Sequence, residues 1–415
     1  MDGEHVPLDA QEESVTTHSR QVRDFPFETP ARLSMEPLFA TLRRTEPLSR
    51  VRLPYGGEAW LVTRYEDIRT VLGDPRFGRA ATLHDAAPRI QPDPAGEGVL
   101  MSLDPPDHTR LRKTVAGVFT KRRVEELRPA TERIAGELLD AMEATGPPAD
   151  LVTSFALPLS VTVICDLLGV PREDREKLRR WSDALLSTTA CTPAEMAAST
   201  EALADYFATL ARQRRQQPTD DLLGALVARC DSREGQLDEG ELVLLTRDLL
   251  IAGHETTASQ IANCTYLLLQ QPHGAVRPDA DAGMPMSAVE ELLRFIPLGS
   301  GSFRARVATE EVELCGRRVR PGETVFAPTV AANWDPEVFH DPGTLDWERS
   351  PNPHLAFGHG VHHCLGAQLA RMELHVALGA LLERLPGLRP AVGEGEIEWK
   401  TGMQVRGPRT LPVRW

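Results

Sequence analysis

The chain has 415 residues, of which 41% are apolar, and its formal net charge at pH 7 is -14. A chain of this length can bury a large hydrophobic core. The excess of acidic residues argues against non-specific binding of nucleic acid, which depends on basic surfaces. No uninterrupted apolar run reaches the roughly 18 residues that a membrane span needs, so we expect no membrane-spanning segment.

The cysteines and the N-terminus indicate the compartment. The six cysteines form no C-x-x-C pair and no disulfide framework, which is typical of a reducing environment. The polar N-terminus lacks the apolar run of a signal peptide. We therefore expect a soluble cytoplasmic protein. Residues 1–24 are polar and without periodicity, which predicts a disordered tail, and residues 25–415 are expected to form a single domain.

The first part of this domain has mixed character. A helical pattern occurs around Met35–Arg44. Two runs rich in strand-forming residues follow at 48–54 and 58–64, and the turn residues Tyr55-Gly56-Gly57 between them predict a β-hairpin. Residues 77–100 are rich in Pro, Gly, Ala and Asp, which indicates a long loop. Long loops inside compact domains are uncommon and are often functional.

The middle of the chain, from Asp107 to about Gln271, is almost entirely helical in pattern. Its longest helix begins near Asp238, a favourable N-cap residue, and continues to about Gln271 without a proline. About 33 residues at a rise of 1.5 Å each would span ~50 Å. Because that is the width of a whole domain, we expect this helix to run through the core.

The C-terminal part returns to strands and then to a helix. Residues 311–329 have strand character, residues 331–356 form a meander rich in Pro, Asp and Asn, and a last long helix begins at about Cys364. The strands lie mainly near the two ends of the sequence. The expected fold is therefore mainly α with a small β region and one long central helix.

The segment 357–366 reads Phe-Gly-His-Gly-Val-His-His-Cys-Leu-Gly and surrounds Cys364 with three glycines. Glycine lets a backbone adopt left-handed angles and approach closely. The free amides and the positive dipole at the start of the predicted helix would favour the thiolate form of Cys364, which is the form that binds metals.

Two plainer interpretations of this segment remain open from the residues alone. Cys364 could be an ordinary loop cysteine. Alternatively, it could belong to a zinc site, although structural zinc usually takes two spaced pairs of ligands and no second Cys/His cluster occurs. Four histidines near Cys364 in the sequence motivate the zinc alternative: His354, His359, His362 and His363.

The same segment resembles the heme-binding loop of the cytochrome P450 family, F-G-x-G-x-H-x-C-x-G, at every fixed position. The resemblance implies that heme b is the cofactor and that Cys364 is the axial thiolate ligand of its iron. It further implies that His362 contacts a heme propionate. Phe357, Gly358 and Gly366 would belong to the loop that surrounds the cofactor.

Residues 252–257, Ala-Gly-His-Glu-Thr-Thr, lie in the middle of the long predicted helix. Glycine and polar residues are poor choices for a helix inside a core, unless water satisfies a kink there or the site has a function. The segment resembles the family's A-G-x-[D/E]-T-[T/S]. The resemblance implies that Thr256 hydrogen-bonds the dioxygen and that Glu255 delivers protons. Ala252 and Gly253 would lie next to the heme, with Gly253 opening the helix.

Glu291 and Arg294 are spaced to share one helical face, and such a pair is by default an exposed ion pair. Here the pair resembles the family's E-x-x-R motif, which implies that Arg349 in the meander completes a structural trio. The trio would lock the loop that carries Cys364.

His108 and Arg112 also share a helical face. They could supply the fixed cations that heme propionates need. The family resemblance assigns them this role and adds Arg306 on the basis of the R-x-A-x-E pattern.

The sequence contains no flavin or nicotinamide motif, so electrons are expected from a separate ferredoxin and an NAD(P)H-dependent ferredoxin reductase. Residues 110–123 carry several basic residues and no acid in an otherwise acidic chain. A solvated helix face is the usual meaning of such a run. Because this run begins at the expected propionate residues, we favour a docking surface for an acidic ferredoxin.

The pattern as a whole resembles bacterial, actinomycete-type members that tailor natural products. It implies a monooxygenase that uses O2 to oxidise a small molecule such as a polyketide, peptide, terpenoid or aromatic. Oxidative C–C or C–N coupling without net oxygen insertion is the main alternative, and a non-catalytic heme sensor is a third. We expect the substrate pocket to be lined by residues 77–103, 249–256, 297–303 and 401–404. Small residues, including Gly299 and Gly301, leave room there for a bulky substrate.

Overall fold

The computed structural model describes residues 22–27, 32–84, 86–90, 100–232, 237–272, 276, 283–299 and 305–415. Their α-helices are α1 (Pro37–Thr45), α2 (Tyr65–Gly73), α3 (Asp107–Ala116), α4 (Lys121–Thr145), α5 (Leu157–Leu168), α6 (Arg175–Leu185), α7 (Pro193–Gln216), α8 (Leu222–Cys230), α9 (Glu239–Leu269), α10 (Met286–Phe295), α11 (Thr329–Asn333) and α12 (Ala367–Arg384). A π-helical segment, Val152–Ala156, precedes α5.

The strands are short and come mainly from the two ends of the sequence. They are β1 (Arg23–Asp24), β2 (Leu48–Arg52), β3 (Glu58–Val62), β4 (Phe77–Gly78), β5 (Ala149–Asp150), β6 (Ala305–Ala308), β7 (Val312–Leu314), β8 (Arg317–Val319), β9 (Thr324–Phe326), β10 (Arg389–Pro390) and β11 (Pro412–Arg414). The mainly helical fold with a small β region is therefore confirmed.

The main sheet has the strand order β1-β2-β3-β9-β6-β4. Strands β2 and β3 form the predicted antiparallel hairpin, in a register from Leu48 opposite Val62 to Arg52 opposite Glu58. Strand β9 joins β3 in parallel, and β6 pairs antiparallel with β9. This pairing brings Arg306, in β6, into the same sheet as the N-terminal hairpin.

Two hydrophobic clusters build the core. One consists mainly of helical side chains, and the other lies around the main sheet with α1 and α2. Helix α9 belongs to the helical cluster, and 20 of its 31 residues are buried. Its length is about 47 Å at the standard rise, so the predicted central helix is confirmed. Asp238 caps it, because its side chain accepts the Glu241 amide at 2.8 Å while its own amide donates to the Glu241 carboxylate.

The predicted boundaries differ from the structure at three places. Strand β1 lies within the predicted tail of residues 1–24, so ordered structure begins before residue 25, while residues 1–21 lie outside the described ranges. The last helix starts at Ala367 with Gly366 as its N-cap residue, three positions after Cys364. The predicted loop at 77–100 contains β4 and a 3-10 turn at Ala80–Leu83, and its residues 91–99 are not described.

Within the described ranges, every helix is either too short or too polar to cross a bilayer.

Candidate active site

The loop before α12 is folded by its own backbone. The Cys364 amide donates to the Phe357 carbonyl at 2.8 Å, and the Gly358 amide donates to the Leu355 carbonyl at 2.9 Å. Gly358 has a φ of 78°, which is the left-handed region that favours glycine. Cys364 is exposed. The loop therefore presents the Cys364 thiol from a turn that backbone hydrogen bonds close.

Gly360 shows why the second glycine of the motif is needed. Its φ is 72°, and a Cβ atom built there would lie 2.5 Å from the Leu72 carbonyl oxygen at the end of α2. Any larger residue would therefore push the loop away from α2. The His363 amide donates to the Gly360 carbonyl at 3.0 Å, which closes the turn directly before Cys364.

Helix α3 approaches this loop through Arg112. The Arg112 Nη2 atom donates to the His363 carbonyl at 2.6 Å. Burial lowers the pKa of Arg112, and the negative charge of a Cys364 thiolate opposes that shift. The predicted residues Arg112 and Cys364 thus lie within electrostatic range of each other.

Two predicted histidines meet beside this arginine. The rings of His108 and His362 have centroids 4.3 Å apart. Burial, together with the nearby Arg306, His108 and Arg79, lowers the pKa of His362 to about 2. Both ring nitrogens of His108, and Nε2 of His362, are buried without a hydrogen-bond partner among the described residues. The structure therefore gathers the predicted cofactor-binding side chains into one cationic cluster.

This cluster fits the carboxylates of a heme. Buried polar nitrogens normally have partners, and buried cations are stable when they are paired with anions. Two propionate groups would supply acceptors and negative charge to the cationic cluster, while the thiol of Cys364 supplies the soft ligand that heme iron takes.

Arg79 is a member of this cluster that sequence reasoning missed. It is 5% exposed, and it donates to the backbone carbonyls of Met101 at 2.8 Å and Ala305 at 3.0 Å. It thereby joins the loop after β4 to the strand that carries Arg306. No local motif marks Arg79, because its position depends on a sheet contact between distant segments.

The histidines proposed for a zinc site take different partners. His354 Nε2 lies 2.8 Å from the Glu290 carboxylate, which Arg371 also binds at 2.6 Å. Burial would raise the pKa of Glu290, but the hydrogen bonds from His354 and Arg371 lower it to about 2. The Arg371 guanidinium lies 4.5 Å from the centre of the Phe357 ring. His354 therefore belongs to a group that supports Phe357.

Thr256 and its neighbours lie on a continuous helix. The Thr256 hydroxyl donates to the Ala252 carbonyl at 2.7 Å. Gly253 does not open the helix as predicted, because α9 runs unbroken from Glu239 to Leu269. A Cβ atom on Gly253 would instead lie 2.6 Å from Ile164 in α5. Glycine is needed here for close packing of the two helices.

Glu255 is almost fully buried, at 4% exposure. Its Oε1 atom accepts from Lys400 Nζ at 2.5 Å and from the Ser259 hydroxyl at 3.4 Å, and Lys400 also reaches the Ser259 oxygen at 2.9 Å. Lys400 was not predicted as a site residue. It belongs to the C-terminal turn, where its amide donates to the Gly407 carbonyl.

His254 connects the same part of α9 to α6. Its Nε2 atom lies 3.5 Å from an Asp183 oxygen, and Arg179 binds the other Asp183 oxygen at 2.7 Å. Within the described ranges, Asp183, His254 and Glu255 are the one place where three potential metal ligands converge. The Lys400 ammonium is already paired with the Glu255 carboxylate. We therefore interpret Asp183, His254 and Glu255 as part of a polar network that holds the Glu255 carboxylate in place.

One predicted pocket segment, residues 297–303, pairs with the two residues that directly follow another, residues 401–404. Gly299 forms a β-bridge with Val405, and the Arg406 amide donates to the Leu298 carbonyl at 2.7 Å. The Gln404 amide in turn donates to the Leu186 carbonyl at the end of α6. Residues 300–304, which include Gly301, lie outside the described ranges.

Glu291 and Arg294 are completely buried and form a two-point ion pair with distances of 2.8 and 2.7 Å. Arg349 Nε binds the same carboxylate at 3.0 Å. The alternative of an exposed pair is therefore wrong. Arg294 also donates to three backbone carbonyls in the segment before the loop: Asn333, Pro342 and Thr344.

A short chain of hydrogen bonds connects this trio to Cys364. The carbonyl of Asn333 accepts from Arg294, and the Asn333 side chain accepts from the Leu355 amide at 2.6 Å. Leu355 then accepts the Gly358 amide of the cysteine loop. The buried charges thus fix the position at which the loop begins.

We predict that Glu291→Ala lowers the free energy of unfolding by about 3–5 kcal/mol, because it leaves Arg294 as an uncompensated buried charge. Urea unfolding followed by circular dichroism measures the change. Glu137→Ala is the matched control, since it breaks an exposed helical pair with Arg133, and should cost about 0–1 kcal/mol. Equal small effects of both substitutions would contradict the structural role of the trio.

Comparison with known proteins identifies the family. A family model described as Cytochrome P450 matches residues 284–392. The nocardicin C N-oxygenase of Nocardia uniformis subsp. tsuyamanensis is 52% identical over 95% of this chain and 98% of its own length. The mycinamicin IV hydroxylase/epoxidase of Micromonospora griseorubida is 50% identical over 96% of this chain and 100% of its own.

A solved structure of a cytochrome P450 with biaryl coupling reactivity has a TM-score of 0.90 and 41% identity to this chain, and the match covers 95% of this chain and 100% of that one. The fold and the two nearly full-length relatives agree. This chain therefore belongs to the cytochrome P450 family, whose members are oxidoreductases that bind heme b.

Proposed function

We propose that this cytochrome P450 is a monooxygenase that oxidises a natural-product scaffold at a heme held by Cys364. The convergence of Arg112, His108 and His362 next to the cysteine loop carries this proposal, since these groups suit the carboxylates of the cofactor. The two relatives named for nocardicin C and mycinamicin IV support the substrate class. When it is bound, the thiolate-ligated heme supplies the reductive activation of O2.

The protein residues have three proposed roles around that cofactor. Cys364 would supply the thiolate to the heme iron, in a loop that Phe357, Gly358 and Gly366 shape. The propionates would be held by a group of buried or half-buried cations and histidines: His108, Arg112, Arg306, His362 and the additional Arg79. Ala252 forms the helix surface that the cofactor and the substrate would approach, and Gly253 next to it allows α9 to pack closely against Ile164 in α5. The trio of Glu291, Arg294 and Arg349 acts only by fixing the position of the cysteine loop.

Glu255 and Thr256 are the proposed catalytic pair. Thr256 presents a hydroxyl whose own proton is held by the Ala252 carbonyl, so its oxygen is oriented to accept and pass on a proton. Lys400 and Ser259 bind the Glu255 carboxylate on the side of the C-terminal turn. Glu255 and Thr256 are adjacent on α9, and we propose that the hydrogen-bonded group of Glu255, Ser259 and Lys400 supplies the protons that the Thr256 hydroxyl passes on.

We predict that Thr256→Ala still binds heme. The variant should release at least about tenfold more hydrogen peroxide for each NAD(P)H consumed, because the loss of a proton-transfer group lowers the rate of the catalysed step by about 100-fold. Thr257→Ala is the matched control, because the adjacent hydroxyl has no proposed role. A substrate from a spectral screen of natural-product scaffolds is used for both. Unchanged coupling of NAD(P)H to product in Thr256→Ala would contradict the catalytic assignment.

The electrons are proposed to come from a separate ferredoxin and its NAD(P)H-dependent reductase. Within the basic run, Arg112 binds the loop next to Cys364, which supports a location of the run near the edge of the proposed heme site. Arg110 is paired with Glu241, and the guanidinium of Arg123 lies 2.8 Å from the Glu126 carboxylate. The exposed cations of this run without an ion-pair partner in the described structure are Lys113, Lys121 and Arg122. A positive surface there would steer an acidic ferredoxin.

We predict that Arg122→Glu slows reduction by an acidic ferredoxin several-fold at low salt, and that the effect shrinks as the salt concentration rises, because exposed charges are screened over ~10 Å at 0.1 M. Stopped-flow reduction rates measure this effect. Arg133→Glu makes the same charge change further along α4 and should leave the rate nearly unchanged. The docking proposal fails if both variants behave alike or if salt has no effect.

The proposed location is the cytoplasm. All six cysteines are free thiols, which suits a reducing compartment that also keeps a ferredoxin reduced.

Oxidative coupling is a second candidate reaction, which the structural similarity to a P450 with biaryl coupling reactivity supports. The mass of the product separates the two reactions, because oxygen insertion adds one oxygen atom to the substrate, whereas coupling removes two hydrogen atoms for each bond formed. The buried Glu255 with its neighbour Thr256 favours oxygen insertion.

A further inference from the structure

One face of α9 stays accessible although the helix lies in the core. Between residues 241 and 256, a set of accessible residues recurs every three or four positions, which is the spacing of a single helical face. They are Glu241, Leu244, Asp248, Ala252 and Thr256. Glu241 at one end binds Arg110, and Thr256 at the other end belongs to the proposed catalytic pair. Asp248 is the charged residue between these two ends.

Asp248 is paired on one oxygen and accessible on the other. Its Oδ1 atom accepts from Arg247 Nε at 3.2 Å and from Arg247 Nη2 at 3.0 Å. The Asp248 side chain is 24% exposed, whereas the Arg247 side chain is 8% exposed. Its second oxygen, Oδ2, has no hydrogen-bond partner in the described ranges. The carboxylate is thus the member of the pair that a ligand can reach.

The surroundings of Asp248 are enclosed. Burial raises the pKa of Asp248 to about 6, although the Arg247 guanidinium lowers it. The carboxylate is therefore partly desolvated while its side chain stays 24% exposed, and its Oδ2 atom can accept a further hydrogen bond.

Asp248 and Thr256 are eight residues apart, which is about 12 Å along the helix axis and about two turns. They therefore lie on the same side of α9. A molecule that contacts the hydroxyl of Thr256 at one end could reach Asp248 with its other end. An anionic ligand is disfavoured, because Arg247 is buried and already donates from Nε and Nη2 to Asp248.

We propose that Asp248 binds a protonated amine of the substrate, so that the natural-product scaffold carries a basic nitrogen about 12 Å from the position that is oxidised. The assignment rests on the proposed heme site and deepens the proposed function by naming a substrate class. A cation stabilises a desolvated carboxylate more than a neutral donor does, because a charge-assisted hydrogen bond is stronger and offsets the hydration that the carboxylate lost on burial.

The test uses imidazoles that anchor at the heme iron and extend an alkyl tail into the pocket. One series ends in a dimethylamino group, which is protonated at neutral pH and too crowded to compete for iron. The other ends in the neutral isosteric isopropyl group. Spectral titration of both series at increasing tail length gives two affinities for each length. We expect the amine to bind at least about tenfold tighter at one tail length, which corresponds to about 1.4 kcal/mol.

Asp248→Asn should remove this preference while leaving the affinity for unsubstituted imidazole unchanged. Asp140→Asn, which removes an exposed carboxylate on α4, should keep the preference. Equal affinities of both series for the unmodified protein at every tail length would overturn the proposal without any variant. A preference that persists in Asp248→Asn would overturn the assignment to this residue. Failure of imidazole itself to give a low-spin heme spectrum would instead contradict the proposed heme site.

Discussion

The position of Cys364 depends on a carboxylate that has been removed entirely from water. Glu291 is compensated by Arg294 and Arg349, and it also accepts the Asp346 amide and the Asn352 side chain. Burying such charges is costly unless every polar atom is satisfied. The segments that satisfy Glu291 and Arg294 therefore have to adopt this one arrangement. The arrangement specifies the start of the cysteine loop, and the cationic cluster is built against that loop.

Helix α9 combines three different chemical environments along its length. Asp248 is a partly accessible carboxylate, Thr256 presents a hydroxyl, and Glu255 is bound by the ammonium group of Lys400 near the C-terminus. Close packing against Ile164 at Gly253 and the contact of His254 with Asp183 fix the rotation of the helix. Helix α9 therefore separates the proposed substrate contacts at Asp248 and Thr256 from the Lys400 group around Glu255.

Features that depend on contiguous residues could be predicted from the sequence. The Asp238 cap, the hairpin of β2 and β3 and the P450 family itself are of this kind, and they are confirmed. Lys400 was missed, because it meets Glu255 from 145 positions away. The role of Gly253 was wrong for a similar reason, since it depends on Ile164 in another helix. The start of α12 was misplaced because the turn at Leu365 and Gly366 has no strong sequence signal.

The claim on which the account depends is that Cys364 is the thiolate ligand of the heme. The most direct measurement is the absorption spectrum of the reduced carbon monoxide complex in the unmodified protein, in Cys364→Ser and in Cys191→Ser, which changes a half-buried cysteine outside the loop. We predict that the red-shifted Soret band of a thiolate-ligated heme is present in the unmodified protein and in Cys191→Ser but absent in Cys364→Ser. A Cys364→Ser protein that retains this band would contradict the account.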